Sequence, residues 1–284
     1  MTTPAASLSG TFALGGDLPV HRLGFGAMRL TGAGIWGPPP NRNNALATLR
    51  RSVDLGINLI DTAESYGPHV NETLIAEALH PYPAGLVIAT KGGFDRPGPH
   101  QWHANGRPDR LREALEGSLK RLRLDRIELY QLHRIDPTVP EDDQFGFLQE
   151  AQRAGQIRHI GLSEVDVAQV ERARRFFPVV SVQNRFNLVE RQWEAVIDYC
   201  DRERIAFIPW YPLQAGQITE QRTLKEIAKR HGASPSQVAL AWLLRRTPVM
   251  LPIPGTSRRE HLDENVKAAT IALTDDEYAM LRDL

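Results

Sequence analysis

The sequence predicts an eight-stranded parallel α/β barrel, and three observations carry that prediction. Eight short apolar runs rich in strand formers recur along the 284 residues, with their ends 20 to 44 residues apart. Helical patterns separate them, at the spacing of a strand, a loop and a helix. The polar residues that could do chemistry fall at the C-terminal ends of those runs, where a barrel carries its active site. An open doubly wound sheet is the competing arrangement of the same elements.

The elements follow in order. LSGTFALGGDLPV (8–20) reads as a hairpin separate from the barrel, placed to plug its bottom. The eight runs are HRLGFG (21–26), INLID (57–61), LVIATK (86–91), IELYQLH (127–133), IRHIGLS (157–163), VVSVQ (179–183), IAFIPW (205–210) and VMLPIP (249–254). Between them NALATLRRSVDLG repeats its apolar residues at helical spacing and stops at Gly56. Asp109 is a candidate cap for RLREALEGSLKRL, and Asp166 or Ser163 for VAQVERARRF. Ser234 reads as an N-cap with Pro235 in the first helical position. Thr274 and Glu277 form a capping box for a C-terminal helix beyond the eight repeats. No linker or low-complexity tract interrupts the pattern, so residues 1–284 read as a single barrel domain.

Composition removes several function classes. Apolar residues make up 42%, enough for a large core, and 34 Lys plus Arg balance 34 Asp plus Glu. That balance gives no field for nucleic acid or an anionic membrane. The lone cysteine, Cys200, excludes an internal disulfide or a cysteine-rich zinc site, and in WEAVIDYC it reads as a small buried hydrophobe. MTTPAASLSG lacks a basic segment followed by an apolar run, and no stretch reaches the roughly 18 apolar residues of a membrane span. A soluble, cytoplasmic monomer or weak homo-oligomer is expected.

The strand ends carry Asp61, Lys91, His133, Ser163 and Gln183, followed by Trp210. Singly, each has a plain structural explanation: a turn-forming carboxylate, a solvated ammonium, a hydrogen-bonded core imidazole. Together, on one rim of a barrel, they fit one task. Tyr66 lies five residues past Asp61. A phenol, with its pKa near about 10, is a poor acid at neutral pH. A neighbouring ammonium stabilises the phenolate and lowers that value. Lys91 can supply the ammonium, Asp61 can hold it protonated, and His133 can donate to a substrate oxygen. The result is a proton donor for a carbonyl. A metal-dependent barrel hydrolase would need several His, Asp or Glu ligands converging there. These ends hold one His, so no metal is expected.

The contexts IDTAESYG, ATKGG and LYQLH resemble the catalytic tetrad of the aldo-keto reductase superfamily. GLSE (161–164), VQNRFN (182–187), IPWYPL (208–213) and LPIPGTSRREHLDEN (251–265) extend the resemblance over nearly the whole chain. It implies Tyr66 as general acid, Lys91 as its neighbour, Asp61 as the anchor of Lys91 and His133 as the orienter of the carbonyl. It also implies a nicotinamide cofactor without a Rossmann fingerprint; LGFG lacks the third glycine and the following helix. Cofactor contacts are then expected from Gly26, Ala27, Met28 and Asp61 on one side. Ser163 and Gln183 match the residues that hold the carboxamide, and Trp210 stands where an aromatic ring, usually tyrosine, stacks on the nicotinamide. Tyr211, Pro212 and Leu213 continue that edge. Gly255, Thr256, Ser257, Arg258, His261, Glu264 and Asn265 resemble the adenosine-phosphate end. Two arginines at a helix start, where the dipole disfavours cations, point to a 2′-phosphate and thus to NADP.

Two departures stand out. Glu164 occupies a place where many relatives carry Asn, and a carboxylate can only accept hydrogen bonds. The 213–222 loop is short, so a more open site with few clamps from Leu213, Gln214 and Gly216 is expected. Trp36, Tyr66, Phe94, Trp102 and His133 are the expected substrate walls, with Tyr211 at the mouth. GAGIWGPP and YGPHVNE resemble a bacterial branch that includes pyridoxal reductases, which implies a small or aromatic aldehyde such as pyridoxal. A noncatalytic NADP-binding subunit on the same fold is the rival reading.

Overall fold

The computed structural model describes residues 6–284. The sequence reading of the N-terminal segment begins at Met1, and its first five residues lie outside the described ones. The hairpin comes first, as β1 (Thr11–Leu14) and β2 (Leu18–His21), paired antiparallel around a Gly15–Gly16 turn. It lies across the N-terminal ends of the barrel strands. Asp17 pairs with Arg158 and His159 at 2.8 and 2.7 Å, and Asn58 Oδ1 accepts from His21 N at 2.7 Å.

Seven parallel strands form the barrel wall: β3 (Phe25–Gly26), β4 (Leu59–Asp61), β5 (Val87–Gly92), β8 (Ile127–Leu132), β9 (Ile157–Ser163), β10 (Val179–Gln183) and β11 (Ala206–Phe207). A small antiparallel pair, β6 (Phe94–Asp95) and β7 (His103–Ala104), sits in the loop after β5. Every residue of β5 and β10 is buried, the pattern of strands covered on both faces.

Two sequence expectations change here. Only Phe25 and Gly26 of the first run form a regular barrel strand, because His21 ends the hairpin. The eighth run, 249–254, is not a regular strand. Pro252 and Pro254 have no N–H for a ladder. It still closes the circle. Phe207 N donates to Val249 O and Leu251 N to Phe207 O, both at 2.8 Å, while Gly24 N donates to Pro252 O at 3.0 Å. The fold is therefore a (β/α)8 barrel whose last stave is held by scattered hydrogen bonds.

Helices pack outside. They are α1 (Arg42–Asp54), α2 (Val70–Leu79), α3 (Pro108–Leu122), α4 (Glu141–Arg153), α5 (Val167–Ala173), α6 (Glu194–Glu203), α7 (Arg222–Arg230), α8 (Pro235–Arg246), α9 (Arg259–Lys267) and α10 (Asp275–Arg282). Capping boxes open α5 at Asp166, α8 at Ser234 and α10 at Thr274. Ser163 instead ends β9. Asp109 is not the cap of α3. Pro108 takes the first helical position, Arg107 precedes it, and Asp109 pairs with Arg107 at 3.0 Å. Gly56 follows α1 at φ 78°, a left-handed stop. Cys200 is fully buried and burial pushes its thiol up to about 12. None of the described helices is long and apolar enough to cross a membrane.

Candidate active site

Parallel pairing places the chemistry-bearing side chains on one rim. Asp61 ends β4, Lys91 lies near the end of β5, His133 follows β8, Ser163 ends β9 and Gln183 ends β10. Lys91 is wholly buried. Its Nζ donates to Asp61 Oδ1 at 2.6 Å and to Thr62 O at 2.8 Å, and lies 3.5 Å from Tyr66 Oη. Asp61 Oδ2 accepts from the amides of Gln183 at 2.8 Å and Gln131 at 3.2 Å. The carboxylate is thus held from several strands at once, and it fixes the ammonium. A charge ends this buried strand because the neighbouring strand supplies its partner.

Tyr66 reaches the rim from the loop after β4, and that loop is pinned along its length. Glu64 N donates to Lys91 O at 3.1 Å, the Glu64 carboxylate accepts from Arg110 at 2.7 Å, and Thr62 Oγ1 donates to Asn71 Oδ1 at 2.7 Å. The ring of Tyr66 meets His133 and Trp102 edge-on, at 5.8 and 6.3 Å between centroids. Phe94 packs on His133 at 4.7 Å. The β6–β7 pair carries Phe94 and brings Trp102 over the rim, where the Arg96 guanidinium lies 3.5 Å from the Trp102 ring centroid. Ser65 Oγ lies 3.4 Å from His133 Nδ1.

Burial governs the protonation of this group. It pushes the Tyr66 hydroxyl above its ordinary value, and the Lys91 ammonium pulls it only part of the way back. The sequence expectation that Lys91 lowers it is therefore corrected for the net direction. A phenolate here would lose its water and gain an ammonium already paired with Asp61. Burial also works against a charged Lys91, but the Asp61 carboxylate more than reverses this and holds Lys91 above the usual lysine range. Burial, reinforced by Lys91, Arg134 and Arg96, holds His133 well below its ordinary value, so the imidazole is neutral. At neutral pH the trio is a protonated phenol, an ammonium and a neutral imidazole.

A cavity of about 880 Å³ opens above these residues. Asp61, Tyr66, Phe94, Trp102 and His133 line one end. Gly26, Met28, Ser163, Gln183, Trp210, Tyr211, Pro212 and Leu213 line its length. Gly255, Thr256, Ser257, Arg258, His261, Glu264 and Asn265, where α9 begins, line the other end. The loop before α9 lies directly on the end of β3. A Cβ at Gly26 would meet Ile253 O at 2.6 Å, and one at Gly255 would meet Gly26 O at 2.6 Å. Only glycines permit that approach.

Two expected contacts are absent from the lining. Ala27 is fully buried, and its carbonyl accepts from Asn71 at 2.8 Å. Trp36 turns toward Arg96, and Ile35 faces the cavity in its place. The 213–222 segment forms a 3-10 turn over Gln214–Glu220 that offers Gly216 and Thr219 to the cavity but not Gln214. Glu164 does not line the cavity either.

Arg29 and Arg134 line it without having been anticipated. Arg134 Nη1 donates to Ser163 Oγ at 3.0 Å and to His133 O at 2.5 Å. Its signal was its place directly after His133. Gln131 was legible in the same way, two residues before it on β8. Among the described residues no group of three or more His, Cys, Asp or Glu is placed to hold a metal ion.

A profile of the aldo/keto reductase family matches residues 22–284. The chain belongs to that family of oxidoreductases. An uncharacterized oxidoreductase of Schizosaccharomyces pombe is 53% identical over 277 residues, covering 97% of this chain and 90% of the relative. Pyridoxine 4-dehydrogenase of Escherichia coli is 40% identical over 279 residues, covering 96% and 97%. Among solved structures, the glycerol dehydrogenase of Gluconobacter oxydans superposes with a TM-score of 0.89 at 27% identity, over 97% of this chain and 94% of that one.

Proposed function

We propose that the protein, working as one barrel domain, reduces a small or aromatic aldehyde such as pyridoxal to its alcohol with NADPH. The observation that carries this reading is the Lys91 ammonium, wholly buried, 3.5 Å from the Tyr66 hydroxyl, which lines the cavity together with neutral His133. The lining also fits the dinucleotide. An aromatic ring, a hydroxyl and an amide lie near the reacting end, and hydroxyls, Arg258 and His261 gather at the start of α9. That donor set suits a long anionic ligand ending in phosphate.

When bound, NADPH supplies a hydride to the carbonyl carbon. Tyr66 gives its proton to the carbonyl oxygen, and its high pKa keeps it protonated until then. Lys91 meets the negative charge this leaves on the phenol, and Asp61 keeps Lys91 in place and charged. Neutral His133 donates to the same carbonyl oxygen and orients it. Ser163 can donate its hydroxyl to a carboxamide oxygen while accepting from Arg134, and Gln183 retains its own oxygen for the carboxamide N–H. Arg258, at the rim, pairs with a 2′-phosphate. Tyr66, Phe94, Trp102 and His133 form an aromatic wall suited to a flat substrate. The relative named pyridoxine 4-dehydrogenase, at 40% identity, supports the pyridine aldehyde.

The test is NADPH consumption across pyridoxal, substituted benzaldehydes and simple ketones, with NADPH binding measured in parallel. Turnover of at least one aromatic aldehyde is the expected result. Tight NADPH binding with no consumption on any carbonyl would instead make the protein a noncatalytic cofactor-binding subunit.

A further inference from the structure

We propose that Glu164 is a positioning residue for Trp210, fixing the indole as the rigid wall against which the nicotinamide lies. The proposal rests on the NADPH reading for what the ring touches, and on this structure alone for what holds the ring.

Trp210 lines the cavity and Glu164 does not. Glu164 Oε1 accepts from Trp210 Nε1 at 2.7 Å and from the Arg185 backbone N–H at 2.6 Å. An indole has one hydrogen-bond donor, the Nε1–H of its five-membered ring. Holding that donor on a carboxylate fixes the ring orientation, because a charged acceptor gives a short and directional bond. The other end of the residue is held as well. Trp210 N donates to Asn184 O at 3.1 Å, and Trp210 O accepts from Phe186 N at 3.3 Å. The Arg185 guanidinium, paired with Glu190 at 2.7 Å, lies over both the Trp210 and Tyr211 rings, at 5.4 and 4.7 Å.

The backbone reports the same device. Glu164 sits at φ 56° and Tyr211 at φ 63°, left-handed values that cost a residue with a side chain on the order of 1 kcal/mol each. Glu164 N donates to Gln183 O at 3.1 Å, so the strained residue is tied to the neighbouring strand end. This conformation carries the Glu164 side chain away from the cavity and under the indole edge. The carboxylate after Ser163 and the indole at 210 are then one feature. An acceptor-only side chain suits a ring whose polar atom only donates.

The experiment labels the five tryptophans with 5-fluorotryptophan, assigns the Trp210 fluorine resonance by Trp210→Phe, and measures NADPH affinity in the same samples. In cofactor-free Glu164→Ala the Trp210 line should shift and broaden while the other four stay in place. NADPH affinity should fall about tenfold, as for one hydrogen bond to a charged group. Glu164→Gln keeps an acceptor oxygen, so its Trp210 line should stay sharp and its affinity within about threefold of the parent. In a Trp210→Phe background, Glu164→Ala should cost no more than about twofold. An unmoved Trp210 line in Glu164→Ala, or equal losses with and without the indole, would overturn the proposal. A Trp210 line that moves in a protein unable to bind NADPH would leave the positioning role standing and sink the reductase reading instead.

Discussion

Asp61→Asn is the substitution whose consequences are most fully set by the geometry. The parent carboxylate accepts from Lys91 at 2.6 Å, Gln183 at 2.8 Å and Gln131 at 3.2 Å. An Asn amide removes the charge and turns an NH₂ group toward these donors. Lys91, with no exposed surface, is then left with neutral acceptors alone, Thr62 O, the Tyr66 hydroxyl and at most the Asn oxygen, and with no counter-charge. Breaking one side of a buried ion pair costs about 3–5 kcal/mol. In a chain of this size each kcal/mol lowers the unfolding midpoint by about 2–4 °C, so the variant should lose roughly 6–20 °C. The assay is thermal unfolding followed by circular dichroism. Adding Lys91→Met removes the stranded ammonium, so the double variant should melt above Asp61→Asn alone. Both variants should lose carbonyl reduction. A midpoint within about 2 °C of the parent, or a double variant no better than the single, would refute the view that these two charges hold each other in place.

Two further predictions use solution measurements. Arg258→Ala should weaken NADPH about tenfold and NADH hardly at all, read by calorimetric titration with each; equal losses would remove the 2′-phosphate contact. His133 is held well below its unfolded value, first by burial and then by Lys91, Arg134 and Arg96. Below a pH of about 6.5 the unfolded chain therefore binds a proton that the folded chain refuses, and stability falls as the pH falls. Between pH 7 and 5.5 the parent should lose on the order of 1 kcal/mol more, from urea midpoints, than His133→Gln. Equal losses would mean that His133 is not held neutral.

The sequence made the barrel legible because its signals are local. Ser234 and Thr274 cap their helices with the partners three residues on that a capping box needs, and the strand runs alternate with helical periods at barrel spacing. The eighth run looked like the others because hydropathy does not register a missing N–H; Pro252 and Pro254 leave it strand-like in content and irregular in bonding. Asp109 was misplaced because Pro108, one residue earlier, already fixes the first helical position.

The site was legible where a residue's position along a strand decides where it points, as for Asp61, Lys91, Ser163 and Gln183. It was less legible in loops. Trp36 and Ile35 are adjacent, and only the fold of 33–37 decides which faces the cavity. Arg134 was hidden by a more conspicuous neighbour. The direction of the Tyr66 shift depends on how completely the ring is buried, and no sequence spacing encodes that depth.

The central claim is that Tyr66 delivers the proton and does little else. Tyr66→Phe should lower turnover of the best aldehyde by at least about a hundredfold, the low end of what a positioned acid contributes. Its NADPH dissociation constant, measured by titration on the same sample, should stay within about twofold of the parent. Turnover retained near the parent rate, with the cofactor bound as before, would contradict the account.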